Sequence, residues 1–238
     1  MTFENIYKTY PNICEFHIWV SKKHKYLCNT VPKNACTRIK ASLYELERNK
    51  RPPDFNRVHT SATAITSLED PIEAITSKEW FRFAFVRNPY DRLFSAYKSK
   101  IVRDKDNNYT RTRNDLKEKY GYKKTDVLPF TDFVDFVVNT IDEYRDHHWQ
   151  SQTRFLIWDK IRYDYIGRFE TFQEDFALVL YKLQASDEMI SDVTEVINST
   201  LKVPLAWVYN RQLAELVYNA YKKDFKNFGY DKDSWRYT

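Results

Sequence analysis

The apolar positions of this chain switch repeatedly between short strand-like runs and helical stripes. Residues 25–32, KYLCNTVP, form a brief apolar run that ends at proline, with the length and the Val and Tyr content of a strand. From Ala35 the spacing changes. Ile39, Leu43 and Leu46 recur at i, i+4 and i+7, the stripe of an amphipathic helix, and Arg51-Pro52-Pro53 closes it. Residues 81–86, FRFAFV, predict the next strand, which leads straight into RNPYDRLFSAY. There Pro89 suits the first turn of a helix whose apolar face holds Leu93, Phe94, Tyr97 and Ile101. Residues 103–128 are rich in Lys, Arg, Asp and Asn and predict a polar, mobile excursion. Helical spacing returns at 130–141, and 161–169, IRYDYIGRF, alternates as a strand. Thr171 and Glu174 match a capping box, at the head of a helix with Phe176, Val179, Leu180 and Leu183 as its buried stripe. A last helix is predicted from about Ala206 to Phe225, ending near Gly229.

Strands alternating with helices predict an α/β fold around a largely parallel sheet, where ligands sit at the carboxyl ends of strands. The chain has no internal repeat and no flexible linker, so its 238 residues read as a single domain, 1–238. Composition changes this picture little: 42% hydrophobic and 30% charged residues are globular values, and the 18 Tyr and 16 Phe must supply much of the core. The formal charge of +5 suits a partner that carries negative charge, but the basic residues are spread along the chain, which argues against nucleic acid. Cys14, Cys28 and Cys36 are odd in number and lack zinc-site spacing, so neither a disulfide framework nor a metal is expected. No apolar run reaches transmembrane length and the N-terminus lacks the plan of a signal peptide, so the chain reads as cytoplasmic.

Both motifs that carry chemistry fall at strand ends. In VPKNACTRIK a strand, a tight turn and a helix start would gather backbone N–H groups at one point, with Lys33 beside them, which is an anion site by construction. Asn34, Ala35, Cys36 and Thr37 are small enough to let an oxyanion approach. The same stretch also reads as an ordinary turn with a solvated lysine, and it contains no Walker A pattern. In FVRNPYDRLFSAY, Arg87 follows a strand directly and Ser95 lies eight residues on, so a guanidinium fork and a hydroxyl could converge on a phosphate. Alternatively Arg87 pairs with a carboxylate and Ser95 packs, with Asp91 and Arg92 part of such a set.

Together these motifs resemble those of the carbohydrate sulfotransferases that use 3′-phosphoadenosine 5′-phosphosulfate (PAPS), of the chondroitin 4-O / HNK-1 type. RVHTSATAITSL, DHHWQSQ and YDYIGRFETFQEDF followed by YNAYKKDFKNFGY resemble further segments of that family in the right order, over roughly residues 18–230. The resemblance implies a P-loop-NTPase-like three-layer fold with a central, mostly parallel sheet flanked by helices. It implies that Lys33 neutralises the leaving phosphate and that Asn34, Ala35, Cys36 and Thr37 hold the 5′-phosphate. Arg87 and Ser95 would hold the 3′-phosphate, no metal would be needed, and adenosine 3′,5′-bisphosphate would be the product. His59 matches the position associated with the base, and an ordinary histidine pKa suits that task. A loop histidine without that role, or a carboxylate base, remains open. His148 with Trp149 reads as either packing or an acceptor-side contact. The paired cysteines of luminal animal members are nearly absent, which fits a cytosolic, bacterial type of enzyme. The acceptor would be a carbohydrate, and an acidic one if the basic residues of 98–124 meet it. A P-loop nucleotide kinase and a non-catalytic anion- or glycan-binding module are the competing readings.

Overall fold

The computed structural model describes residues 2–54, 64–104, 107–195 and 203–238. In chain order the elements are α1 (Phe3–Thr9), α2 (Pro11–Phe16), β1 (Ile18–Ser21), β2 (Tyr26–Asn29), α3 (Cys36–Arg48), α4 (Pro71–Thr76), β3 (Phe81–Val86) and α5 (Pro89–Ala96). They continue with α6 (Thr110–Lys119), α7 (Phe130–Asn139), α8 (Gln152–Phe155), β4 (Tyr165–Arg168), α9 (Phe172–Lys182), α10 (Asp187–Thr194), α11 (Arg211–Ala220) and α12 (Lys222–Phe228). The chain divides into two compact units, residues 1–86 with 155–199, and residues 87–154 with 200–238.

The first unit is built on a sheet of order β1-β2-β3-β4, in which β1 is antiparallel to β2 while β2, β3 and β4 run parallel. Alternate residues of a strand face opposite sides, and the side chains here divide accordingly. Tyr26, Cys28, Phe83 and Phe85 pack with Ile39, Leu43 and Leu46 of α3 and with Phe176, Val179, Leu180 and Leu183 in and just after α9. The intervening positions turn the other way. Arg82 is 6% exposed on the central strand, yet its guanidinium donates to the carbonyls of Ile75 (3.0 Å) and Ser77 (2.8 Å) at the end of α4 and pairs with Asp164 (2.9 Å). Those bonds offset the cost of burying the charge, although the buried Nε makes no hydrogen bond. Helices thus cover both faces, giving the expected mixed α/β layers around a mostly parallel sheet.

The second unit is helical. Tyr90, Leu93, Phe94 and Tyr97 meet Phe133, Val134 and Val137 of α7, Trp149, and Leu213, Val217, Tyr221 and Phe225 of the C-terminal helices. α5 passes into a π-helical stretch, Tyr97–Arg103, before Asp104 turns the chain away.

Three expectations need correction. The polar stretch 103–128 contains the helix α6, held by Leu116 (2% exposed) and by Tyr109 (9% exposed), just ahead of it; two buried residues were too few to register as a stripe. The C-terminal helix is two helices that break at Tyr221 (φ −117°, ψ 22°), a core residue whose hydroxyl bonds the carbonyl of Trp149. The capping box does not form. The Thr171 hydroxyl donates instead to Asp175 (2.9 Å), a carboxylate that also takes the Arg168 N–H (2.7 Å) and the Tyr165 hydroxyl (2.8 Å). All three cysteines are free thiols. Among the described residues, no helix is long and apolar enough to cross a membrane.

Candidate active site

In the first unit, β2 ends at Asn29 and a turn leads to α3. Lys33 (φ 72°) and Ala35 (φ 59°, ψ 22°) both adopt left-handed backbone, which L-residues pay for and which clusters where function requires it. The turn does without glycine because these two residues accept that conformation. Asn34 between them is fully buried, and its side-chain N–H donates to the carbonyl of Phe85 on the neighbouring strand (2.8 Å). That bond pins the turn to β3, so the Asn34 side chain anchors the loop. Ala35 is the N-cap of α3 and has no side chain with which to cap it. Cys36, Thr37 and Arg38 form the first turn of α3, at the positive end of the helix dipole. Lys33, Ala35, Cys36 and Thr37 are partly exposed. A short-sided, electropositive loop of this kind suits an oxyanion.

In the second unit, Arg87 is the first residue beyond β3. Asp91 grips its guanidinium through Nε (2.9 Å) and Nη2 (2.8 Å), and the Arg87 side chain is 11% exposed. Asn88 caps α5 by accepting the Tyr90 N–H (3.0 Å), and its own amide donates to Ser234 (2.9 Å). Arg87, Asp91 and Ser95 follow at four-residue intervals, hence on one helical side, and Ser95 is partly exposed. Lys98 joins them. Burial lowers its ammonium pKa, Asp91 opposes that, and the nearby charges of Arg87 and Arg103 add to it. The carboxylate pairing that was the alternative reading of Arg87 is therefore present, within a set that carries three cations to one anion.

Arg92 is structural. It is 2% exposed and donates to the carbonyls of Gln150 (2.6 Å) and His147 (3.1 Å). Trp149, 3% exposed, packs in the helical core. His148 accompanies it at the edge, with Nδ1 2.8 Å from Asp146 and 2.8 Å from the Tyr109 hydroxyl. Burial, more than its neighbours, brings the His148 pKa down to about 3, so it is neutral at physiological pH. Asp146, His147 and His148 stand close enough to share a cation, but the hydrogen bonds among Asp146, His148 and Tyr109 account for the arrangement. His59 lies outside the described residues. Gln152, the last residue of DHHWQSQ, was given no role from sequence, yet its side chain bonds the Arg87 backbone, a pairing no local spacing reveals.

The chain matches the model of the sulfotransferase family over residues 16–231. It is 26% identical over 248 residues to carbohydrate sulfotransferase 11 of Mus musculus, covering 90% of this chain and 67% of that protein. It is 30% identical over 230 residues to carbohydrate sulfotransferase 14 of Danio rerio, covering 90% and 62%. It is also 26% identical over 267 residues to carbohydrate sulfotransferase 12 of Mus musculus, covering 93% and 62%. The chain thus spans about two thirds of the length of these relatives. No solved structure matches it.

Proposed function

Since the chain belongs to the sulfotransferase family, we propose that it is an enzyme that transfers a sulfonate group from PAPS to a hydroxyl of a carbohydrate acceptor. The observation that supports the donor assignment is the tight turn into α3, in which Lys33 and the N-cap Ala35 both take left-handed backbone and small residues begin the helix. PAPS would supply the activated sulfonate. In the first unit, Lys33 neutralises charge that develops on the departing phosphate oxygen. The backbone of Ala35, Cys36 and Thr37 holds the 5′-phosphate by N–H donation, while Asn34, whose own N–H donates to the Val31 carbonyl (3.3 Å), shapes the turn, so electrostatic stabilisation falls to lysine and helix dipole. In the second unit, Arg87 and Ser95 hold the 3′-phosphate, with Asp91 orienting the guanidinium.

In an in-line displacement the acceptor oxygen bonds to sulfur as the sulfur–oxygen bond to the 5′-phosphate breaks, leaving adenosine 3′,5′-bisphosphate. The acceptor proton goes to a base, for which His59 is the proposed residue on the strength of its sequence context. His148 is kept for the acceptor side, because it is partly exposed, whereas Trp149 beside it in sequence is 3% exposed and packs in the core. The names of the relatives support a carbohydrate acceptor. An acidic one is favoured by exposed cations such as Arg111, whose side chain is 95% exposed. Residues 1–238 act as one catalytic domain in this reading, and three free thiols suit a reducing compartment such as the cytoplasm.

Thermal-shift measurements test the donor class, since a ligand that binds only folded protein raises apparent stability with its concentration over Kd. Adenosine 3′,5′-bisphosphate should shift the transition more than AMP or ATP, and Arg87→Ala should abolish that advantage. Lys33→Ala should fold and bind product nucleotide but fail to transfer labelled sulfonate to sugar. Full PAPS affinity in Arg87→Ala removes the 3′-phosphate assignment, and magnesium-dependent ATP turnover in place of sulfonate transfer restores the kinase reading.

A further inference from the structure

We propose that Gln152 is the positioning residue of the 3′-phosphate site: its side-chain amide fixes the backbone of Arg87, and Asp224 fixes Gln152. The proposal rests on the donor reading above. Gln152 is fully buried. Its Oε1 accepts the Arg87 N–H at 2.9 Å and its Nε2 donates to the Arg87 carbonyl at 2.8 Å. One primary amide thereby pairs with both backbone groups of one residue, as a neighbouring strand would. The pairing occurs at the position where the ladder has ended, since β3 pairs with β4 only as far as Val86.

Gln152 is itself held from α12. The buried carboxylate of Asp224 accepts the N–H of Gln152 (2.8 Å) and of Thr153 (2.7 Å), capping α8. Burial raises the Asp224 pKa, and the bonds from Thr153 and Gln152 oppose it. On the other side Arg92 binds the carbonyls of His147 and Gln150 and so brackets the same segment. Three buried polar side chains are thus spent on one strand exit. An apolar core of the same volume would hold the segment with no desolvation penalty. What the polar set adds is a defined backbone position at Arg87, and a guanidinium that recognises phosphate bidentately depends on position to a fraction of an ångström.

Glutamine is the side chain this task selects. Glutamate keeps the length but sets a second acceptor against the Arg87 carbonyl, and leucine keeps the volume but offers neither bond. The test compares the affinities of the full chain for adenosine 3′,5′-bisphosphate and for AMP by calorimetry. In wild type the ratio reports the 3′-phosphate. Gln152→Leu should cut that ratio by at least about tenfold, the effect of losing one to two hydrogen bonds' worth of positioning, while AMP affinity stays at the wild-type value. Gln152→Glu should reduce the ratio in the same direction by a smaller factor, and it serves if the leucine variant does not fold. General destabilisation would lower both affinities together. A wild-type protein that does not distinguish the two nucleotides disproves the donor reading. A wild-type protein that does, with variants keeping the wild-type ratio, overturns the role of Gln152.

Discussion

His148 makes the protein sensitive to acid, and the size of the effect follows from its surroundings. Its side chain is 14% exposed. Facing it are Asp146, the hydroxyl of Tyr109 ahead of α6, the ring of His147, and Lys100, which lies over the Tyr109 ring at 5.0 Å. Burial brings the His148 pKa from the ordinary 6.5 to about 3 in the folded protein. Above pH 6.5 neither state holds the proton and the linkage contributes nothing. Below 6.5 the unfolded chain binds a proton that the folded chain refuses, so stability falls as pH falls until about pH 3. At pH 5.0, about one and a half pH units below 6.5, the loss is about 2 kcal/mol. Asp146 does not confuse this window. Burial raises its carboxyl, the hydrogen bonds and charge of the two histidines more than offset that, and its net pKa lies below 3.8, so its own contribution is lost only in stronger acid. Urea unfolding of wild type and His148→Asn, followed by tryptophan fluorescence at pH 7.5 and 5.0, measures the difference. The variant should be less stable at pH 7.5 but should lose about 2 kcal/mol less than wild type between the two pH values. Equal losses in both proteins, or a His148 ring that titrates near 6.5 by NMR in the folded state, would refute the reasoning.

Two further outcomes concern the first unit. Ala35→Gly should raise stability by about 0.5–1 kcal/mol, because glycine takes the left-handed conformation at φ 59° without the penalty alanine bears; a calorimetric Tm unchanged or lowered contradicts the account of the turn. Gly167→Ala should lower stability by about 2–3 kcal/mol, because the new methyl would fall 2.3 Å from the Phe85 ring, which edge contacts with Phe172 and Phe176 hold in place; a wild-type urea midpoint would show that the ring yields.

What the sequence disclosed and what it concealed divides along physical lines. β2, β3, β4 and α3 were legible because each has one dominant period and a clear stop, proline after β2 and a two-residue arginine-asparagine step after β3. β1 was not: Ile18–Ser21 is four residues long, follows α2 with only His17 between them, and is followed by a hairpin whose polar turn ends in left-handed Lys25. α6 was hidden because a helix anchored by two buried residues looks like solvated chain. The break at Tyr221 carries no glycine or proline and answers a tertiary demand, the bond from its hydroxyl to Trp149. The candidate site divides in the same way. Lys33 and Arg87 could be named because a charged residue just past a strand is a local pattern. Gln152 could not, because its task is a pair of bonds to a backbone 65 positions away, and its own support, Asp224, lies 72 positions beyond it. Groups that bind a ligand advertise themselves by chemistry near an element's end. Groups that place those groups are ordinary polar residues whose only mark is full burial, and burial is a property of the fold. In this chain Asn34 and Gln152 have that character, each fully buried and each fixing the backbone where a candidate phosphate-binding residue stands.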